Sequence, residues 1–331
     1  MNRKIAAVIA GVLLAGLLPG CSAQQKAEQP DIYVICKSKD SYWDTTRWGA
    51  VDAGEEMGLN VYYEAPETEA DLDVQIKMIQ DAIAAGADAI VVAPLDTDAL
   101  NNVLRDANLQ GIPVLTIDSD VSYAGRAVCV STQNLSAGAI AAREAAELLH
   151  AKGEVGVICH KADAQTAKER MGGFVTELDG NVVDSDGYPE ISVVDVKYCE
   201  GDIERSKEGT KQLIEEHPDL KLVYATNQPG TVGACQAIEE LGLADQITLV
   251  GFDYFQGADI YITHGVLDGV MTQNPYNMGY LGVRYAKKLI DGTAVPSIVD
   301  TGATYVNAAN LNDADIQWLL NPIVDRPAFT D

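Results

Sequence analysis

The sequence predicts an α/β protein built as two Rossmann-like lobes, each a parallel sheet covered by helices and the pair joined by a three-segment hinge. Three observations carry that expectation. Apolar, β-branched stretches alternate with helical patterns along nearly the whole chain, the signature of βαβ units. One such series ends before Asn134 and a second starts near it, so two sheets of similar build follow. Four of the apolar stretches stop on a polar residue: Asp118 after Val114-Leu115-Thr116-Ile117, Asn227 after Leu222-Val223-Tyr224-Ala225-Thr226, Asp253 after Leu249-Val250-Gly251-Phe252, and Gln273 after Val270-Met271-Thr272. In open parallel sheets ligands lie outside the carboxyl ends of the strands, so polar groups gathered there are binding candidates.

In the first series, Asp31 to Cys36, Asn60 to Tyr63, Ala89 to Ala93 and Pro113 to Ile117 read as strands. Helical patterns lie between them, around Thr45 to Met57, Leu72 to Ala85 and Asp98 to Asn108. Gly58, Gly86 and Gly111 fall just past these helices, where a left-handed closing residue is expected. The second series has strands Val155 to Ile158, Ile191 to Val196, Leu222 to Ala225 and Ile247 to Gly251. Its helices lie around Ala137 to His150, Ala167 to Leu178, Ile203 to Glu215 and Val232 to Leu241. Strand-like pieces near Leu267 to Thr272 and Ser297 to Thr301 fit either lobe, and no residue-level repeat relates the two series.

Composition narrows the function classes. The 331 residues carry 23 lysines and arginines against 49 acidic residues, and a field of that sign repels phosphate backbones, so nucleic acid is not an expected partner. At the N-terminus, Arg3 and Lys4 precede an apolar run from Ile5 to Leu18, followed by Leu18-Pro19-Gly20-Cys21. This resembles a bacterial lipoprotein signal over residues 1–20, with Cys21 as the lipid attachment site and residues 21–30 as a tether. An ordinary secretory signal or an uncleaved anchor is the alternative. The expected address is the cell membrane, lipid-anchored and facing outside the cytoplasm. Of the other cysteines, Cys36, Cys129 and Cys159 fall in strand-like runs and Cys235 in a helix-like one, positions that suit small buried hydrophobes. No Cys/His spacing suggests zinc, so neither a metal nor a cofactor is expected.

No catalytic constellation emerges. The chain lacks a GxSxG elbow, a phosphate loop, a GxGxxG turn after a strand and an HExxH helix. Of four histidines, His150 and His217 sit at helix ends, where structural roles are the commoner ones. Asp118 and Asp253 are the pair that would flank a glycosidic bond as acid and base, but carboxylates also hold hydroxyls without reacting. The expectation is a binding protein, not an enzyme.

The chain resembles the type I periplasmic sugar-binding proteins of ATP-driven importers, the ribose- and galactose-binding cluster. The motifs are Val250-Gly251-Phe252-Asp253, Ile262-Thr263-His264-Gly265, the stretch Met271-Thr272-Gln273-Asn274-Pro275-Tyr276-Asn277-Met278-Gly279-Tyr280, Glu169-Arg170-Met171-Gly172-Gly173-Phe174 and Ala225-Thr226-Asn227. Their order and spacing together are specific. The resemblance implies two lobes with sugar in the cleft and crossings near Thr132-Gln133, Gln273-Asn274 and Thr301-Gly302. One lobe would hold residues 31–132 with 274–302, the other 133–273 with 303–331.

The same resemblance implies the site. In Lys39-Asp40-Ser41-Tyr42-Trp43, Asp40 belongs to a polar turn, and Tyr42 and Trp43 form the platform on which the C–H face of a sugar ring packs. Asp118 and Asp253 accept from ring hydroxyls, Arg170 and Asn227 donate, and Gln273 does either. The competing structural account makes Asp118, Asn227 and Asp253 helix N-caps. Departures matter too. Ala93 precedes Pro94 where ribose-binding relatives carry Asn, Ser119 follows Asp118 where they carry Arg, and Ile203 replaces an aromatic, with Tyr254 a candidate substitute.

Three aspartates against Arg170 make an acidic cleft, unsuited to phosphates or sugar acids unless Lys37 or Lys39 turns inward. A neutral carbohydrate or polyol fits best, delivered by a monomer to ABC transporter permease subunits. The alternatives are an amino sugar, another amine or a furanose signalling molecule used in sensing, and a tethered glycosidase. A transcriptional repressor of the same lobes would need an N-terminal helix-turn-helix, which a signal segment replaces here.

Overall fold

The computed structural model describes residues 29–39, 41–181 and 186–322. Their elements alternate in chain order: β1 (Asp31–Ile35), α1 (Ser41–Met57), β2 (Asn60–Glu64), α2 (Leu72–Ala85), β3 (Ala89–Val92), α3 (Asn101–Leu109), β4 (Val114–Ile117) and β5 (Val128–Ser131). The second series is α4 (Asn134–Leu148), β6 (Gly153–Cys159), α5 (Gln165–Leu178), β7 (Ile191–Tyr198), α6 (Ile203–Glu216), β8 (Leu220–Ala225), α7 (Gln228–Leu241), β9 (Thr248–Phe252), α8 (Ala258–Thr263) and β10 (Gly269–Gln273). The chain then continues as α9 (Pro275–Ile290), β11 (Ile298–Asp300), β12 (Ala303–Asn307) and α10 (Ala314–Leu320).

These strands form two six-stranded sheets, ordered β11-β5-β4-β3-β1-β2 and β12-β10-β9-β8-β6-β7. Both wind the same way from their first strand, and every pairing is parallel except β10 with β12. The α/β class and the two lobes read from the sequence are therefore found. Because β11 joins the first sheet while β10 and β12 join the second, the chain passes between lobes after Ser131, after Gln273 and after Asp300.

Each sheet is buried on both faces, which is why its strands read as continuous apolar runs. Successive side chains alternate sides. In β3, Ala89 and Val91 pack toward α1 and α9, whereas Ile90 and Val92 pack toward α2 and α3. In β8, Leu222 and Tyr224 face one core of the second lobe and Val223 and Ala225 the other. Each fully buried Val or Ile contributes about 1.5–3 kcal/mol.

Each lobe also has one pair of helices in backbone contact through reciprocal glycines. A Cβ on Gly49 would stand 2.0 Å from the Tyr276 carbonyl oxygen, and one on Gly279 2.0 Å from that of Thr46. In the second lobe, a Cβ on Gly138 would stand 2.1 Å from the Arg170 carbonyl oxygen, and one on Gly173 1.9 Å from that of Leu135. Any larger residue would push α1 from α9, or α4 from α5, and the second shift would carry Arg170 with it. This is the echo between lobes that no sequence repeat announces.

The strand and helix expectations hold to within a few residues at most ends. Five elements had no counterpart in them: β5, α8, α9, β12 and α10. β5 is only four residues long, too short for a periodic signal, whereas α9 buries Met278, Gly279, Gly282, Val283 and Ala286 at helical spacing, a pattern present in the sequence that sequence reasoning passed over. Cys36, Cys129, Cys159, Cys199 and Cys235 are all buried thiols.

Candidate functional site

The carboxyl ends of both sheets open on one cavity of about 1240 Å³ lined by residues of both lobes. Tyr42, Trp43, Asp118, Arg170, Asn227, Asp253 and Gln273 all line it. Asp40 and Cys21 lie outside the described residues.

On the first-lobe wall, Asp118 leaves β4 with φ at +63°, a left-handed conformation that Asp tolerates better than most residues. Its N–H still donates to the Val130 carbonyl at 3.0 Å, so the strand ends on a bonded turn that aims the carboxylate into the cleft. Lys37, just past β1, donates from Nζ to Asp118 Oδ2 and to Ser119 Oγ, both at 2.6 Å, and Tyr42 donates to Asp118 Oδ1 at 2.9 Å. Burial pulls the Asp118 carboxyl upward, but the Lys37 charge and the bonds from Lys37, Tyr42 and Ser119 outweigh it and hold it below the ordinary aspartate value. Burial likewise lifts the Tyr42 phenol far above its usual range, so it stays a donor. Trp43 is buried in the first-lobe core, edge-on to Tyr42 at 4.9 Å between ring centres, and the Lys37 ammonium lies 5.7 Å from its ring.

On the opposite wall, Asp253 leaves β9 with φ at +66° and its N–H bonded to the Met271 carbonyl at 2.7 Å, the same turn as at Asp118. Gln273 Nε2 donates to Asp253 Oδ1 at 2.7 Å, and Arg170 Nη1 stands 3.5 Å from Oδ2. Burial raises the Asp253 carboxyl above its ordinary value in spite of Arg170. The Arg170 guanidinium is 3.8 Å from the Phe252 ring centre, donates from Nη1 to the Thr226 carbonyl at 2.9 Å, and donates from Nε to Asn134 Oδ1 at 2.8 Å.

The N-cap account holds for one residue of three. Asn227 Oδ1 accepts from the Gly230 N–H at 3.0 Å and caps α7, while Asn227 also lines the cavity. Asp118 and Asp253 cap no helix; their carboxylates face the cleft. Ile203 and Tyr254 do not line the cavity, and Tyr254 packs against the second-lobe core instead. Lys39 turns away to Glu67 at 2.6 Å, so of the two lysines weighed it is Lys37 that turns inward.

Sequence reasoning also passed over His160 and Asn134. His160 follows β6 as Asp118 follows β4, and that position was the available signal. Its ring nitrogens meet Thr226 Oγ1 at 2.8 Å and Thr166 Oγ1 at 3.1 Å. Burial, with the Arg170 and Lys37 charges, lowers its pKa to about 3, so the ring is neutral at physiological pH. Elsewhere among the described residues, Asp195, Glu216 and His217 lie close together, but Lys197 Nζ bonds Asp195 at 2.8 Å and Glu216 at 2.6 Å and balances that cluster.

The profile of the periplasmic binding protein domain family matches residues 32–294. The chain belongs to the periplasmic binding protein family. The resemblance carried by the motifs is thereby borne out, and this periplasmic binding protein has relatives of similar build over most of its length. It is 26% identical to a D-ribose/D-allose-binding protein of Pseudomonas aeruginosa across 88% of this chain and 92% of that one. A carbohydrate transporter solute-binding protein from Agrobacterium radiobacter, solved in complex with D-arabinose, superposes with a TM-score of 0.80 at 30% identity, covering 89% of this chain and all of that one. AraP, an arabinose-binding protein from Geobacillus stearothermophilus, gives 0.79 at 28% identity, covering 86% and 99%. Among the described residues no helix is long and apolar enough to cross a membrane.

Proposed function

We propose that this periplasmic binding protein captures a small neutral carbohydrate between its lobes and delivers it to the permease subunits of an ABC-type importer. The observation that carries the reading is the pair of matched ion pairs across one cleft, Lys37 with Asp118 on one wall and Arg170 with Asp253 on the other. Each aspartate leaves its strand through the same left-handed turn. Two such pairs offer acceptors and donors to hydroxyls from both sides while adding no net charge, which suits an uncharged polyol. The ribose, allose and arabinose named for the relatives belong to that class.

The same geometry counts against an amine. A cationic ligand would use an aromatic face beside a carboxylate, and here Lys37 already stands over Trp43 and on Asp118. A role as a binding protein, not a glycosidase, is supported by the bonding of both oxygens of each aspartate, Asp118 by Lys37 and Tyr42 and Asp253 by Gln273 and Arg170, so both carboxylates serve as acceptors.

Residues 31–132 with 274–302 and 133–273 with 303–331 act as the two rigid bodies of a hinge motion about the three crossings. Ligand binding shifts their open–closed equilibrium, and the closed shape docks on the permease as a monomer. The lipoprotein-like segment before Cys21 supports a lipid anchor on the outer face of the membrane. The test is a thermal-melt screen of the soluble form from Ser22 onward against neutral monosaccharides, disaccharides, polyols and amino sugars, since a ligand of the folded state raises the melting temperature. A selective shift with a neutral sugar is expected. A shift with amines alone, or turnover of aryl glycosides lost in Asp118→Asn, would overturn the reading.

A further inference from the structure

The two charged groups on the second-lobe wall are each held by an amide side chain from a different hinge crossing. Gln273, at the second crossing, donates to Asp253 at 2.7 Å. Asn134, at the first crossing, accepts from Arg170 Nε at 2.8 Å. Asn134 is the last residue of Thr132-Gln133-Asn134 and Gln273 the middle one of Thr272-Gln273-Asn274, a tripeptide shared by the two crossings. Asn134 is 5% exposed, opens α4, and donates from Nδ2 to the Thr132 carbonyl at 3.2 Å. The adjacent Gln133 N–H donates to Asp300 Oδ1 at 3.1 Å, and the same carboxylate oxygen accepts from the Gly302 N–H at 2.8 Å, so the first crossing is pinned to the third.

From this arrangement we infer that Asn134 is a positioning residue, fixing the guanidinium of Arg170 in the cleft and tying its orientation to the hinge. The inference rests on the reading of Arg170 as a ligand donor. A guanidinium has five N–H donors in one plane. Contact with Phe252 sets the plane, and the Thr226 carbonyl and Asp253 hold one corner through Nη1. Without a second point the group can rotate within that plane; the bond from Nε to Asn134 supplies that point. Among the described residues no bond engages Nη2, whose two protons are then held ready for a ligand oxygen. Because Asn134 sits where the chain enters the second lobe, a change in backbone torsion at the first crossing moves the acceptor that orients Arg170.

Three measurements on the full protein test this. The Arg170 Nε–H signal, identified by its loss in Arg170→Lys, is followed by ¹H–¹⁵N correlation spectroscopy without ligand. It is expected to exchange slowly in the wild type and in Asn134→Asp, which keeps an acceptor, and to be lost to exchange in Asn134→Ala. Affinity for D-ribose and D-arabinose is measured by calorimetry, and Asn134→Ala is expected to weaken it by about 10- to 100-fold, the range for a hydrogen bond to a charged group. In the double variant Asn134→Ala/Arg170→Ala the loss is no greater than in Arg170→Ala alone, because Asn134 acts through Arg170. Additive losses, or an unchanged Nε–H signal in Asn134→Ala, overturn the inference. If the wild type binds neither sugar, these two are not its ligands, and the spectroscopic comparison alone decides the positioning role.

Discussion

Lys37 Nζ lies 2.6 Å from Asp118 Oδ2, in a pair whose side chains are only 14% and 12% exposed. Two buried opposite charges of this kind are marginal as a source of net stability, but removing one leaves the other uncompensated. Lys37→Met should therefore cost about 3–5 kcal/mol of ligand-free stability. Sugar affinity should fall with it, because Asp118 then drifts toward the protonated form and loses its use as an acceptor. Chemical denaturation and calorimetry at neutral pH read both effects. A variant as stable as the wild type would show that the pair is solvated in solution.

The matching turns at Asp118 and Asp253 give a second prediction. Both hold a non-glycine residue at positive φ, which costs about 1–2 kcal/mol for most side chains and little for glycine. Alanine at either site should lose binding and also some stability. Glycine should lose binding equally while melting higher than the alanine variant. Equal melting points for the two substitutions would mean that the turn relaxes when the carboxylate is gone.

The two aspartates should also respond to pH with opposite signs. The folded-state carboxyl of Asp118 is held below its ordinary value, so its stabilisation is present above that value and is lost as pH falls through the lower one. Asp253 is raised, so its contribution is present at acid pH and is lost as pH rises through the raised value, leaving a charge that costs stability at neutrality. In melts from acid to neutral pH without ligand, Asp118→Asn should flatten the fall on acidification. Asp253→Asn should steepen it and raise the melting temperature at neutral pH. The same shift in both variants would mean that the Arg170 contact, not burial, controls Asp253.

Much of this was legible in the sequence, for physical reasons that also mark where legibility stops. Strand exits could be read because a parallel strand buried on both faces is a run of apolar residues with an abrupt end, and Asp118, Asn227, Asp253 and Gln273 were found from those ends. Which way a side chain turns beyond the strand cannot be read from the pattern. Lys37 and Lys39 flank Ser38 on one loop, yet one reaches Asp118 and the other Glu67. That choice sets a cation against Asp118, as Arg170 stands against Asp253, while the rest of the lining, with Glu69, Asp96, Asp120 and Glu169, stays acidic. Where the resemblance implies Arg after the aspartate, Ser119 here accepts from Lys37, so the cation is supplied from the loop after β1, two strands away across β3. Asn134 is marked in the sequence only by the Thr-Gln-Asn tripeptide shared with the second crossing, and its role could not be read from that, because it depends on α4 and α5 meeting through Gly138 and Gly173, a tertiary contact between residues far apart in the chain.

Asn227 has two tasks, and they should separate. Its Oδ1 caps α7, so Asn227→Ala should cost about 1 kcal/mol of stability besides any loss of binding. Asn227→Asp keeps the cap oxygen but replaces the Nδ2 donor with a second acceptor. It should restore the melting temperature without restoring sugar affinity. Recovery of affinity in the aspartate variant would show that Asn227 serves the fold alone.

Trp43 and Tyr42 are expected to divide the roles that a single aromatic platform would combine. Trp43 is 3% exposed and packs in the first-lobe core, with its carbonyl accepting from the Tyr63 hydroxyl at 3.0 Å. Trp43→Ala should cost about 3–5 kcal/mol, as large-to-small changes of buried aromatics do. Tyr42 is less buried and touches the site through its hydroxyl, so Tyr42→Phe should spare the core and remove one donor from Asp118. The expected result is a large drop in melting temperature with Trp43→Ala and a small one with Tyr42→Phe, while affinity measured well below both transitions falls in each. If Trp43→Ala kept full affinity at low temperature, its ring would belong to the core alone, and Tyr42 would be left as the aromatic wall of the cleft.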